Sequence, residues 1–141
     1  MITVCIPSYR RKEHVQKLLN FYSQLNVNFE ILVGLADEDE IYNEVLAYKN
    51  QLEISNLVNI IHTPGKDVIQ TMSILLDVAD SEYAILNCDD AFLIPESLNQ
   101  MKEFLDKNPE YEAVNGKVLL FNSENSGIVH SVFCNLIFDS F

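Results

Sequence analysis

Short apolar runs and helix-periodic segments alternate along most of this chain, and that alternation constrains the fold more than any other feature. Ile2 to Ile6 is a β-branched run closed by Pro7-Ser8-Tyr9. Val15, Leu18, Leu19, Tyr22 and Leu25 then recur at the spacing of one helix face. Phe29 to Leu35 reads as a second strand, followed by an acidic loop, Asp37 to Glu40, and a helix marked by Ile41, Val45, Tyr48 and Leu52. Leu57 to Ile61 is a third strand, stopped by the Pro64-Gly65 turn signal, and Val68, Met72, Leu75, Leu76 and Ala79 mark a third helix. Tyr83 to Leu86 reads as a buried strand. A helix carrying Leu98, Met101 and Leu105 follows, ending near Asn108-Pro109, and Ala113 to Phe121 reads as a fifth strand. Parallel strands need crossover connections, so this order implies an α/β protein with a Rossmann-like, mostly parallel sheet and helices on both faces.

The 141 residues suit a single domain spanning 1–141, with a core of ordinary size. Ile128 to Phe141 is apolar and carries no formal charge before Asp139. It reads as a last strand or an incomplete segment, and its apolar face needs cover inside the domain or from a second chain, so a homodimer is an expectation. Twenty-one acidic residues against nine basic give a net charge of −12, which repels phosphate backbones and argues against a nucleic-acid partner. A single nucleotide held through a metal remains compatible, because the ion brings its own positive charge. The three cysteines, Cys5, Cys88 and Cys134, are scattered and form no metal-ligand spacing or disulfide framework. With no basic leader ahead of Ile2 to Pro7, and no apolar run near the roughly 20 residues that span a bilayer, the expected location is cytoplasmic.

Chemistry concentrates where the strands should end. In an open α/β sheet, ligands bind beyond the carboxyl ends of the strands. Asn87, Cys88, Asp89 and Asp90 close the fourth strand. Adjacent carboxylates repel one another, and a divalent cation such as Mn2+ or Mg2+ relieves the repulsion while using only one or two protein carboxylates. The plainer reading of Asp89 and Asp90 is a turn and helix cap. Asp37 to Glu40 follow the second strand; they make either a solvated helix start or a carboxylate, Asp37 or Asp39, that accepts from a nucleobase or ribose. Arg10, Arg11 and Lys12 put three cations on a first helical turn, where the dipole disfavours them, and this fits an anion held nearby. Gly65-Lys66 lacks the rest of a phosphate-binding loop, and GxGxxG, GxSxG and HExxH are absent from the sequence. His14, His62 and His130 stand isolated in sequence and read as surface or packing residues.

Taken together, these segments resemble the family 2 glycosyltransferases of the GT-A fold. The likeness rests on Ile2 to Arg11 with its Pro7-Ser8-Tyr9 turn, on Glu30 to Val33, and on Ser81 to Asp90 with Pro95 and Leu98, and covers about the first 120 residues. It implies the nucleotide-sugar-binding portion of a transferase taking a nucleotide-diphospho-sugar, commonly UDP-linked, with Mn2+ or Mg2+. Carried over by position, the resemblance puts Pro7, Ser8 and Tyr9 along the nucleoside pocket with Arg11 beside them. It puts Asp37 or Asp39 on the base, Asp89 on the ribose side with Asn87 next to it, and Asp90 on the metal, with Asp89 as its neighbouring ligand.

The chain departs from the family at several points. Asn87 stands where the DxD-type motif starts with an acid, Leu35-Ala36-Asp37-Glu38 replaces Asp-Asp-Gly-Ser, and Met72-Ser73 replaces an arginine-asparagine pair. The family's catalytic base lies in a later region that this chain does not reach, so the fold reads as truncated; Asp139 matches no base motif. The expected function is transfer of a sugar to an acceptor from a metal-bound donor. The alternative is a non-catalytic module of the same descent that binds a nucleotide or a protein. A flavodoxin-like receiver would carry its acidic pair after the first strand, where Pro7-Ser8 stand.

Overall fold

The computed structural model describes residues 1–122 and 127–132. Contacts divide the chain into two compact units, Met1–Phe92 and Leu93–Phe141. The first unit runs β1 (Ile2–Ser8), α1 (Lys12–Ser23), β2 (Glu30–Leu35), α2 (Asp39–Lys49), β3 (Val58–His62), α3 (Val68–Val78) and β4 (Tyr83–Leu86). Its four strands pair in parallel in the order β3-β2-β1-β4. The sheet therefore grows in one direction from β1 to β3 and then jumps back across β1 to add β4. With right-handed crossovers, α1 and α2 lie on one face and α3 on the other. The packing agrees, since α1 touches α2 while α3 lies on β1 and β2.

The reversal of strand order puts a topological switch point between β1 and β4, and the sequence opens it there. Backbone groups alternate sides along a strand, so Cys5 and Pro7 both face β4, as the bond from Asn87 N–H to Cys5 O shows. Proline has no N–H to give, and the β1–β4 pairing ends at Cys5 and Leu86. On the other side β1 stays paired with β2 as far as Ser8 and Leu35. β4 thus separates from β1 at Cys5, three residues before β1 ends at Ser8, beside a crevice lined by Pro7, Ser8, Cys88 and Asp89.

The core is the expected one for α1: Val15, Leu18, Leu19 and Tyr22 are completely buried. Burying each such side chain contributes about 1.5–3 kcal/mol relative to leaving it exposed. Tyr22 meets Phe29 edge to face at 5.5 Å. Two expectations need correcting. The third helix buries Thr71 and Leu75, while Val68 and Leu76 remain exposed. Apolar residues surround this helix, so periodicity alone does not select a face; Gly34 on β2 does, by leaving room for Thr71 and Leu75 against the strand. The Tyr83–Leu86 strand exists, but among the described residues it is a sheet edge, with Ala84 and Leu86 exposed, rather than a fully buried strand.

In the second unit, α4 (Pro95–Lys107) starts with Pro95 in its first turn, where a missing N–H costs nothing. The i,i+4 pairs Lys102–Asp106 and Glu103–Lys107 support its exposed side. The fifth strand begins later than expected: β5 (Val118–Asn122) pairs antiparallel with β6 (Gly127–Val132). The apolar run from Ile128 thus begins as a strand. Residues 133–141, which include Cys134 and Asp139, lie outside the described residues.

Candidate functional site

The carboxyl ends of the four parallel strands are tied to one another by main-chain hydrogen bonds. Ala36 N–H donates to Ser8 O (3.0 Å), Thr63 N–H to Leu35 O (2.8 Å) and Asn87 N–H to Cys5 O (2.9 Å). On this platform sits a four-residue constellation. The Ser8 hydroxyl donates to Asp89 Oδ2 at 2.6 Å. The Arg11 guanidinium reaches Asp89 Oδ1 through Nη1 at 2.8 Å and Asp90 Oδ2 through Nη2 at 2.9 Å. One cation therefore spans both carboxylates. Asp89 is buried, at 4% exposure, whereas Asp90 and Arg11 reach solvent. The hydrogen bond from Arg11, and then its charge, hold the Asp90 carboxyl below its ordinary range, while Asp90 raises the Arg11 guanidinium.

Asn87 has a local task. Its side-chain amide donates to Cys88 O at 3.1 Å and to Ala91 O at 2.8 Å, closing the turn that presents Asp89 and Asp90.

Asp37 is buried, and its carboxylate accepts from the Arg10 N–H, at 3.0 Å through Oδ1 and 3.2 Å through Oδ2. Arg10 stands at φ 56°, a left-handed conformation uncommon for a residue with a Cβ, and its guanidinium lies 4.9 Å from the Tyr9 ring centroid. The Asp37 carbonyl in turn accepts from Nε2 of His62 at 2.9 Å, which fixes the proton on that nitrogen. His62 stacks on Tyr42, with centroids 4.5 Å apart. Asp37 thus joins the turn after β1, its own loop and the end of β3. Asp39 is at the surface, 3.6 Å from His62 Nδ1.

Two adjoining cavities flank this constellation. One, of about 330 Å³, is walled by Pro7, Ser8, Arg11, Thr71, Met72 and Asp89. The other, of about 720 Å³, is walled by Arg10, Asp37, Ile41 and Pro64. Tyr9, Ala36, Lys66 and Asp67 border both, so the two form one groove over the strand ends, in the size range of small-ligand sites. Of the sequence-predicted site residues, Pro7, Ser8, Tyr9, Arg11, Asp37 and Asp89 line the groove. Asp90 joins the constellation through Arg11, and Asn87 supports the turn. Asp39 lines neither cavity.

Lys66, Thr71 and Met72 were missed as site residues. The signal for Lys66 was present, since Pro64-Gly65-Lys66 follows a strand at the binding edge. Thr71 and Met72 depend on which face α3 turns to the sheet. Among the described residues, no three His, Cys, Asp or Glu side chains group as a metal cage, and no helix is long and apolar enough to cross a membrane.

Among solved structures, the chain matches a crystal structure of S. aureus TarS, residues 1–349, with a TM-score of 0.60 at 20% identity, over 77% of this chain and 33% of that one. TarS is a family 2 glycosyltransferase of the GT-A type, so the fold anticipated from the sequence is the fold found, in a portion like the family's N-terminal part. The chain spans about a third of the length of that structure, and at this identity the likeness defines the fold alone. No family model and no curated protein matches the chain.

Proposed function

We propose that this chain is the donor-binding portion of a glycosyltransferase. It takes a nucleotide-diphospho-sugar, UDP-linked by preference, together with Mn2+ or Mg2+, for transfer of the sugar to an acceptor hydroxyl. The observation that carries the proposal is the pair Asp89 and Asp90 at the switch point, two adjacent carboxylates that already share one cation, the Arg11 guanidinium. Their oxygens suit a hard divalent ion, which commonly takes one or two protein carboxylates and completes its shell with water and phosphate oxygens. Asp90 and Asp89 would hold the metal, whose chemistry when bound is Lewis-acid stabilisation of the departing diphosphate.

The remaining work falls to the chain itself. Ser8 fixes Asp89 through the 2.6 Å hydrogen bond, so that carboxylate arrives pre-oriented. Tyr9 and the Pro64–Asp67 turn bound the larger cavity, in which a nucleoside fits, and Lys66 adds a cation at the border of the two cavities. Asp37 keeps the walls of that cavity in register through Arg10 and His62. No residue of the chain is assigned as catalytic base, so donor binding is the activity the chain itself supports.

The test is metal-stimulated release of UDP from UDP-sugars by the full chain, with Asp90→Ala as control. Release that requires Mn2+ or Mg2+ and vanishes in the variant is expected. Equal release by the variant would refute the assignment of the metal to Asp90. Metal-dependent binding of UDP without release would favour the non-catalytic module.

A further inference from the structure

Arg11 is placed to do more than line the groove. Its backbone is fixed at the start of α1, where its carbonyl accepts from the N–H groups of His14 and Val15, at 2.9 and 3.2 Å. Among the described residues, its side chain is held at its tip, by the two carboxylates. Arg11 is also part of the wall of the smaller cavity. Asp89 and Asp90 carry two negative charges and Arg11 returns one positive charge, so the site is balanced in part without any ligand.

We infer that Arg11 is an internal counter-ion that exchanges between two anions, the Asp89–Asp90 pair when the site is empty and a diphosphate when a divalent cation takes the pair. The inference rests on the donor-site reading above. Carboxylate oxygens that already accept from a guanidinium are weaker ligands for a divalent ion, and two cations so close repel. A divalent ion that takes the pair therefore displaces Arg11, by competition for oxygens and by repulsion. Once released it remains tethered by a few bonds to the start of α1, beside the same cavity, with its five N–H donors free. A guanidinium matches phosphate oxygens in two-point hydrogen bonding. The exchange thus couples the two ligands: the metal alone binds against competition from Arg11, whereas metal and diphosphate together give every charge a partner. By linkage, each ligand then raises the affinity for the other.

The signature of this exchange is a pair of opposite effects from one substitution. Arg11→Gln removes the competitor, so Mn2+ alone is expected to bind about tenfold more tightly. The same variant loses the diphosphate contact, so UDP at saturating Mn2+ is expected to bind about tenfold more weakly. Arg11→Lys keeps a point charge without the two-point geometry, and is expected to restore the competition with Mn2+ and only part of the UDP affinity. Mn2+ affinity is read from the free-ion electron paramagnetic resonance signal and UDP affinity by calorimetry, with the full chain in each case. Melting temperatures identify any variant that has not folded, and the lysine variant then carries the comparison. Equal Mn2+ affinity in wild type and Arg11→Gln would overturn the exchange while leaving the donor site standing. A UDP affinity unchanged by Arg11→Gln would overturn the diphosphate half in the same way. No Mn2+ binding by any form would remove the donor-site reading and the exchange with it.

Discussion

Gly34 offers the sharpest test of how the fold places the groove. It lies on β2 opposite Pro7 and Ile61, under α3. A Cβ built there would come within 2.3 Å of Thr71 Cγ2, and 3.3 and 3.4 Å from the two Leu75 methyl carbons. The first approach is more than 1 Å inside ordinary contact, and Thr71 is fully packed against the sheet, its hydroxyl 3.4 Å from that of Thr63. Relief requires α3 to lift or Thr71 to rotate. Overpacking of this kind costs about 1–3 kcal/mol. Alanine returns about 0.4–1 kcal/mol by restricting the unfolded chain. The net expectation for Gly34→Ala is a loss of about 1–2 kcal/mol, or roughly 5–15 °C in Tm for a unit the size of the first one.

Chemical denaturation of the full chain measures this loss, and a double-mutant cycle locates it. Thr71→Ser deletes the clashing methyl, so Gly34→Ala should cost much less in the serine background than in the wild type. α3 also carries Thr71 and Met72 into the cavity wall, so the alanine variant should bind ligand more weakly as well. Gly34→Ala within 0.5 kcal/mol of wild type, or no relief by Thr71→Ser, would refute the reasoning.

Ser8→Ala leaves the buried Asp89 carboxylate with one hydrogen bond fewer and should lower stability by about 2 kcal/mol, measured by urea unfolding. Arg10→Gly should be tolerated or slightly stabilising, because glycine adopts the positive φ freely. Asp37→Ala, which strips both acceptors from Arg10 N–H, should destabilise by about 1–3 kcal/mol, and equal melting temperatures for the two variants would contradict this division of roles. Arg11 depresses the Asp90 carboxyl in the folded state, so the resulting stabilisation is fully present above the ordinary carboxylate value of about 4 and is lost as pH falls through the lower folded value. Asp90→Asn should therefore flatten the acid limb of the Tm–pH profile below about pH 4, and an unchanged limb would show that the pair contributes nothing there.

Much of the first unit was legible in the sequence because its signals are local. The β-branched run at Ile2 and the face of Val15, Leu18, Leu19 and Tyr22 each name their own structure, and α1 buries those four residues. The third helix was not legible to the same degree. Val68, Ile69, Met72, Ile74, Leu75, Leu76 and Val78 surround it with apolar groups, and the missing Cβ of Gly34, 37 positions before Thr71, selects the buried side. In the site, the carboxylate pair and the Pro7-Ser8 turn stood out as strand ends. The role of Pro7 in parting β4 from β1 depends on strand order, which no local pattern encodes. Asp37 was legible as a carboxylate at the end of the second strand, but its burial and its engagement with Arg10 follow from a backbone conformation that composition does not announce. The bridging of Asp89 and Asp90 by Arg11, 78 and 79 residues earlier in the chain, is a tertiary fact of the same kind.

The central claim is that Asp89 and Asp90 form a metal-dependent site for a nucleoside diphosphate. Its most direct test is calorimetric titration of UDP into the full chain with and without Mn2+, in wild type and in Asp90→Ala. Binding that needs Mn2+ and disappears in a folded Asp90→Ala is the predicted result. UDP binding that is indifferent to Mn2+, or that survives the substitution, would contradict it.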